Sequence, residues 1–122
     1  IMQTFYERIG ENRLHSVIKH FYSSVFSSSK ISHLFENDRE IIEEKQIKFL
    51  TQFLGGPDLY SQAYGHPKMR MRHLPHKIDQ EAKEEWLRCM REAIDIVFID
   101  DIELGNSFYK IFPPIAEHMV NS

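Results

Sequence analysis

Residues 49–79 read FLTQFLGGPDLYSQAYGHPKMRMRHLPHKID, a stretch that combines the clearest helix end with the most unusual composition in the chain. The helical spacing of apolar residues stops at the Gly-Gly-Pro of positions 55–57, because glycine favours a helix end and proline cannot continue the helix. Residues 58–76 follow no regular pattern, and one short helix is expected over 68–73. His73 would close that short helix directly before a Leu-Pro pair, where the backbone is biased away from helix.

Helical spacing dominates the rest of the chain, and strand-like alternation is almost absent. We expect long helices over 11–26, 38–54, 79–98 and 101–120, with a short piece at 31–35. Asp38 can cap the second of these helices, and the Pro113-Pro114 pair must kink or split the last one. The sequence therefore predicts an all-α fold of about five helices.

The faces predicted to lie inward carry mostly large apolar side chains. In chain order they are Leu14, Ile18, Phe21, Tyr22, Val25, Ile42, Phe49, Leu50, Phe53, Trp86, Met90, Ala93, Ile94, Val97, Phe108, Ile111, Phe112, Ile115 and Met119.

Length and charge set the broad class. The 122 residues fit a single domain over 1–122, which is large enough to bury a hydrophobic core without disulfides or a structural metal. A net charge of −3 argues against nucleic acid as a partner, and no apolar run approaches the roughly 18 residues that span a membrane. The lone Cys89 excludes an internal disulfide, and the first ten residues lack the features of a signal peptide. We therefore expect a cytoplasmic protein.

Three hydrogen-bonding side chains interrupt the inward faces: Tyr22, Gln46 and Trp86. Each one alone is usually a core residue or lies at a helix margin. All three can donate a hydrogen bond, and they lie on three different predicted helices. Donors that converge in an apolar interior indicate something bound there that accepts hydrogen bonds.

His73 allows several interpretations. A zinc site built from His66, His73 and His76 would have loose spacing and no partner cysteine, and Cys89 sits in a helix interior where a structural thiol is expected. A haem explains the pattern better, with one axial histidine, apolar faces around the ring and donors near the ligand. A cofactor-free helical interaction module and a non-haem metal enzyme using the three histidines remain alternatives.

The chain resembles the truncated haemoglobins, and within them group II. The resemblance rests on the run at 49–79, on WLRCMREAI at 86–94 and on AEHMVNS at 116–122, and it extends from about residue 5 onward. It implies a shortened globin fold, a two-over-two α-helical sandwich that holds haem b (iron protoporphyrin IX).

The resemblance also implies roles for individual residues. His73 matches the proximal iron ligand, and Arg72 and Tyr60 match positions that contact the haem propionates. The positions implied to contact the haem are Phe35, Phe49, Leu50, Tyr60, Met69, Arg72, His73, Trp86 and Met90. The positions implied to contact the bound ligand are Tyr22, Ile42, Gln46 and Trp86. Ile42 occupies a gate position where other members carry a small or polar residue, so we expect a narrower access route.

The function implied by the resemblance is binding of O2, CO, NO or peroxide at a pentacoordinate haem iron. Hydrogen-bonded retention of the ligand favours oxygen binding, ligand sensing or redox chemistry over bulk transport. Whether the protein is an enzyme stays open, because redox turnover needs a reductase that the sequence does not identify. A monomer or a homodimer is expected, with neither nucleic acid nor membrane as partner.

Overall fold

The computed structural model describes residues 2–122 and contains, over that range, eight α-helices, one 3-10 turn and no strand. The helices are α1 (Phe5–Ile9), α2 (Glu11–Ser27), α3 (Arg39–Phe53), α4 (Leu59–Tyr64), α5 (Met69–His73), α6 (Gln80–Val97), α7 (Ile102–Tyr109) and α8 (Phe112–Met119), and the 3-10 turn is Ser32–Leu34. The predicted all-α class is confirmed. Of the expected domain, only Ile1 lies outside the described residues.

Short polar residues begin the helices that position the site. The Asp38 side chain accepts a hydrogen bond from the backbone N–H of Glu40 at 2.9 Å, which confirms its predicted role as the cap of α3. Asp79 caps α6 in the same way, through the N–H of Ala82 at 2.9 Å. The two caps therefore fix the first residue of α3, which carries Gln46, and of α6, which carries Trp86.

The helices form two layers of two. The pair α2 and α3 lies over the pair made by α6 and the α7–α8 run, and α2 against α6 is the main contact between the layers. The largest fully buried side chains, at or below 1% exposure, include Phe21 on α2 and Phe98, Phe108 and Phe112 from the second layer. Burial of these aromatic rings is the main stabilising term for the fold.

The helix count was underestimated because two short helices were missed. Helices α1 and α4 have five and six residues, too few to show a 3.6-residue period. The expected helix over 101–120 divides into α7 and α8, and its proline pair lies in the first turn of α8, where the missing N–H groups cost no helical hydrogen bond.

The prediction that Phe53 faces the core is wrong. Its side chain is 50% exposed, whereas Leu50, one turn earlier, is fully buried. Phe53 is the last residue of α3, and the following chain places Tyr60 against Phe49, with ring centroids 5.9 Å apart, rather than over Phe53. Between residues 2 and 122, no helix combines the length and the apolar character needed to cross a membrane.

Candidate functional site

A row of aromatic rings joins the first layer to the second. Phe35, just after the 3-10 turn, lies 5.8 Å from the Tyr22 ring, which in turn lies 4.8 Å from Phe21. Phe21 meets the Trp86 ring edge-on at 4.9 Å. Tyr22 on α2 and Trp86 on α6 therefore both lie against Phe21, as their inward positions in the sequence predicted.

The polar tips of Tyr22, Gln46 and Trp86 make no hydrogen bond with any other group between residues 2 and 122, although Tyr22 is only 3% exposed. Over the same residues, no fully buried side-chain nitrogen or oxygen lacks a partner. The three tips are therefore not sealed from solvent, and Gln46 and Trp86 are only half-buried.

Tyr22 keeps its phenolic proton. Burial, together with the nearby Glu43 carboxylate, raises the pKa of Tyr22 well above its usual range. Arg39 holds Glu43 in place: the Arg39 Nε lies 3.2 Å from the Glu43 carboxylate. The Arg39 Nη2 also donates to Ser23 Oγ on α2 at 2.9 Å. Tyr22 is therefore a neutral hydrogen-bond donor over the whole physiological pH range.

His73 is oriented by a local hydrogen bond at the end of α5. Its Nδ1 lies 2.7 Å from the carbonyl oxygen of Met69. A carbonyl only accepts, so Nδ1 carries the proton and, in the neutral ring, Nε2 keeps its lone pair. This is how histidine ligands of metals are usually oriented. The half-buried His73 ring is thus suited to hold an iron through Nε2.

Arg72 and Tyr60, the two residues implied to contact the haem propionates, lie against each other. The Arg72 guanidinium is 5.8 Å from the centroid of the buried Tyr60 ring. Its Nε donates to the Pro67 carbonyl at 2.7 Å, and its Nη2 donates to the carbonyls of Tyr64 and His66 at 3.1 and 3.2 Å. Nη1 remains available for a carboxylate at the edge of the site.

Comparison with known proteins gives the site its context. The sequence matches the family described as bacterial-like globin over residues 4–121. The group 2 truncated hemoglobin YjbI of Bacillus subtilis is 40% identical over 116 residues, which cover 95% of this chain and 87% of that protein. This chain belongs to the bacterial-like globin family, among its group II truncated haemoglobins.

Solved structures agree in fold. The group II truncated hemoglobin of Bacillus anthracis superposes with a TM-score of 0.93 at 36% identity, covering 100% of this chain and 94% of that one. A truncated haemoglobin of Bacillus subtilis gives 0.91 at 39% identity, covering 98% and 100%. The predicted two-over-two truncated globin fold is confirmed. As a member of this family, the chain binds haem and small diatomic ligands.

The other predicted haem-contact residues of this globin divide by burial. Leu50 and Met90 are fully buried in the core, and Phe49 is nearly so. Met69 is half-buried beside the core, as is Ile42, which was predicted as the ligand gate rather than as a haem contact, and both can line the surface that faces a bound group. Their contacts with haem stay predictions.

Two lysines at the site were missed by the sequence reasoning. Lys45 and Lys48 on α3 place their ammonium groups 4.9 and 5.6 Å from the Tyr64 ring centroid, beside the carbonyls that hold Arg72. Their spacing of three residues on one helix face was the available signal. Lys45 adds positive charge to the edge where carboxylates were expected, whereas Lys48 is paired with Glu44 at 2.9 Å.

The alternative of a non-haem metal enzyme gains no support from the globin structure. Residues 2–122 bring no three histidine, cysteine or acidic side chains together in a way that could hold a metal ion. His66 instead accepts a hydrogen bond at Nδ1 from the Lys68 backbone N–H at 3.1 Å.

The segment after His73 is held by Asn121, a residue that the sequence reasoning did not single out. The Asn121 side chain accepts from the N–H of Ile78 at 2.9 Å and donates to the carbonyls of His76 and His73 at 2.8 and 3.4 Å. The Arg70 guanidinium also donates hydrogen bonds to the carbonyls of His118 and Val120, at the end of α8, at 2.6 and 3.0 Å. The end of the chain therefore fixes the helix that carries His73.

We expect Asn121→Ala to loosen this segment without unfolding the globin. The amide of Ile78 loses its acceptor, so its hydrogen exchange should accelerate by about tenfold, equivalent to one lost hydrogen bond. Hydrogen exchange followed by NMR measures this directly. Ser122→Ala is the matched control and should leave the Ile78 amide protected; equal exchange in wild type and Asn121→Ala would contradict the role of Asn121.

A buried carboxylate next to Trp86 ties the two layers together. Glu85, 9% exposed, accepts from Ser28 Oγ at 2.6 Å and from Arg88 Nε at 2.7 Å. The Arg88 and Ser28 hydrogen bonds lower the pKa of Glu85 to about 2. Because Ser28 ends α2, the helix that carries Tyr22, Glu85 fixes the register of Tyr22 relative to Trp86.

Glu85 gives a pH-dependent contribution to stability with a defined sign. Its folded pKa lies below the ordinary value, so the stabilisation is complete above about pH 4.5 and is lost as the pH falls towards 2. We expect Glu85→Gln to lower the free energy of unfolding at pH 7 by about 1–2 kcal/mol, a value reduced for solvent screening of the exposed Arg88. In the variant, the free energy of unfolding should also fall less steeply as the pH decreases below about 4.5.

Urea unfolding at pH 7 and at pH 3 measures both effects of the Glu85 substitution. Glu92→Gln is the matched control, because Glu92 also pairs with Arg88, at 3.0 Å, but is 50% exposed. Equal losses in the two variants would show that the burial of Glu85 has no consequence for stability.

Proposed function

We propose that this truncated haemoglobin holds haem b with His73 as the sole protein ligand of a pentacoordinate iron. The observation that carries the proposal is that the donor tips of Tyr22, Gln46 and Trp86 have no hydrogen-bond partner between residues 2 and 122, although Tyr22 is only 3% exposed. The Met69 carbonyl supports it, because it leaves His73 Nε2 free to bind a metal.

The residues around these groups suit a flat apolar ring with an acidic edge. Phe35, Phe49 and Met69 offer apolar and polarisable surface from three separate elements. Arg72 and Tyr60 would hold the carboxylates, with the charge of Lys45 close by. Haem, when bound, supplies a ferrous iron that takes a diatomic ligand.

The chain's own contribution to ligand retention comes from donors that are placed before the ligand arrives. With haem and O2 bound, Tyr22 and Trp86 would supply hydrogen-bond donors for the partial negative charge on the oxygen, and no rearrangement of the protein would be needed. Each such bond contributes roughly 1.5–3 kcal/mol, so two together slow ligand release by roughly two to four orders of magnitude. Ile42 narrows the access route from its half-buried position on α3.

Slow release favours oxygen binding, ligand sensing or redox chemistry with peroxide or nitric oxide over bulk transport. One solved relative, from Bacillus subtilis, is described as oxygen-avid, and the 39% identity makes that behaviour a reasonable proposal for this chain. Redox turnover would require an electron donor. We propose the cytoplasm as its location, since the single cysteine, Cys89, is a free thiol, which fits a reducing compartment.

The optical spectrum of the dithionite-reduced protein, with and without CO, tests this function. We expect a Soret band that sharpens and shifts when CO is added, as for a five-coordinate ferrous haem. A protein that purifies without haem and does not take up added hemin would support the cofactor-free interaction module instead. Zinc without haem would support the non-haem metal site.

A further inference from the structure

The charge of the chain is divided very unevenly along its length. Between Asp58 and Asp79 there is no acidic residue, and that segment carries four basic side chains, Lys68, Arg70, Arg72 and Lys77. The segment has a formal charge of +4, while the rest of the chain has −7. A local excess of this size against an acidic background indicates a surface made for a particular partner rather than for solubility.

All four cations are exposed. Arg72 is the one assigned to a haem carboxylate, which leaves Lys68, Arg70 and Lys77 without an anionic partner in the described part of the chain. No salt bridge between residues 2 and 122 includes any of them, whereas acidic residues on adjoining elements are already paired: Glu117 with Lys83 at 2.6 Å and Glu44 with Lys48 at 2.9 Å. The guanidinium groups of Arg70 and Arg72 are fixed by backbone carbonyls, which orients them without neutralising their charge.

An apolar spot lies within this basic segment. Met71 and Leu74 are each 56% exposed, on either side of His73. A small exposed apolar centre with a charged rim is typical of weak, short-lived complexes between proteins. We call the surface formed by Lys68, Arg70, Met71, Leu74 and Lys77 the basic face.

We propose that the basic face is the docking surface for an acidic electron-transfer protein that carries a reduced flavin or an iron–sulfur cluster. This inference rests on the proposed function, because it places the donor beside the residue assigned as the iron ligand. One electron would pass from the reduced flavin or cluster, which is oxidised by one electron, to ferric iron, which becomes ferrous. That step transfers no proton, and it forms and breaks no covalent bond.

Charge favours a compact acidic protein over an extended polyanion. A membrane or a nucleic acid presents negative charge over a wide area and would also meet the acidic remainder of the chain, whose formal charge is −7. A small acidic protein can cover the basic face alone. Electrostatic steering would then raise its association rate at low salt.

The test uses the haem-loaded protein, an acidic bacterial flavodoxin as the probe, and two double variants with the same change in charge. Lys68→Asn with Lys77→Glu alters the basic face; asparagine suits position 68, where φ is 44°. Lys19→Asn with Lys110→Glu makes the same charge change at exposed lysines outside it. Neither pair includes a residue assigned to the haem site.

Two readouts are needed. Stopped-flow spectroscopy follows reduction of the ferric protein by reduced flavodoxin as a function of salt, with dithionite reduction as the control for the haem itself. We expect the basic-face variant to lower the second-order rate constant by about tenfold at low salt and the control variant by about twofold or less. NMR titration of the labelled protein with oxidised flavodoxin should shift amides of residues 66–77.

Equal slowing in both variants, or a rate that does not depend on salt, would overturn the proposal. The proposal would also be overturned if the protein bound duplex DNA or phosphatidylglycerol vesicles more tightly than flavodoxin, as judged from the shifts of the same amides. Failure of the proposed function is distinguishable, because a protein without haem shows no Soret band before flavodoxin is added.

Discussion

Replacing His73 with alanine should cost this globin most of its haem affinity. Loss of groups that merely support a metal ligand typically lowers metal affinity by 10- to 100-fold, so loss of the ligand itself should exceed about 100-fold. The structure explains why no neighbour should compensate: His66 uses its Nδ1 for the Lys68 N–H, and His76 is exposed beyond the end of α5. Haem transfer to an apoprotein scavenger measures the change.

The controls for His73→Ala are His66→Ala and His76→Ala, which should both retain haem. Added imidazole should restore haem binding in His73→Ala, because it supplies a nitrogen ligand in the space left by the side chain. Normal haem content in His73→Ala, with an unchanged iron–histidine stretch, would show that another residue is the ligand.

Substitution of the two aromatic donors should change O2 release strongly. We expect Trp86→Phe to raise the O2 dissociation rate constant by roughly tenfold or more, equivalent to one lost charge-assisted hydrogen bond. The indole N–H points in one direction and cannot accept, so it is the more rigid donor. Tyr22→Phe alone should have a smaller effect, because the Trp86 and Gln46 tips remain.

The Tyr22→Phe, Trp86→Phe double variant should exceed the product of the single effects, because each donor partly covers for the other. CO carries less negative charge on its outer atom, so its release should respond more weakly to each change. Stopped-flow release of both gases decides the matter. Equal effects on O2 and CO would mean that these side chains act through bulk rather than through hydrogen bonds.

Much of the fold was predictable because the long helices repeat their apolar residues often enough to fix one face. The predicted inward residues of α2, from Leu14 to Val25, are all buried. The faces of the short helices α1 and α4 were not predictable, since five or six residues show less than two turns. The prediction for Phe53 was wrong for a related reason. The helical spacing of apolar residues continues to the last residue of α3, but no neighbouring element between residues 2 and 122 packs over the helix there.

Candidate site residues could be proposed from the sequence where a polar side chain occupies an unusual position, and their roles toward haem stay predictions. Tyr22 and Trp86 are polar groups on apolar faces, and His73 ends a helix before a proline. Glu85 was not predictable, because its neighbours in QEAKEEWLR indicate an ordinary solvated face. Its burial depends on Ser28, 57 positions earlier in the chain. Asn121 likewise acquires its contacts only when α5 packs against α8.

Resonance Raman spectroscopy of the ferrous protein, after titration with hemin, tests the central claim most directly. That claim is one haem per chain, held on one side by His73 alone, with a free position near Tyr22 and Trp86. We predict saturation at one equivalent of hemin, a five-coordinate high-spin spectrum and an iron–histidine stretching band that disappears in His73→Ala. A six-coordinate low-spin spectrum, or an iron–histidine band that survives that substitution, would contradict the account.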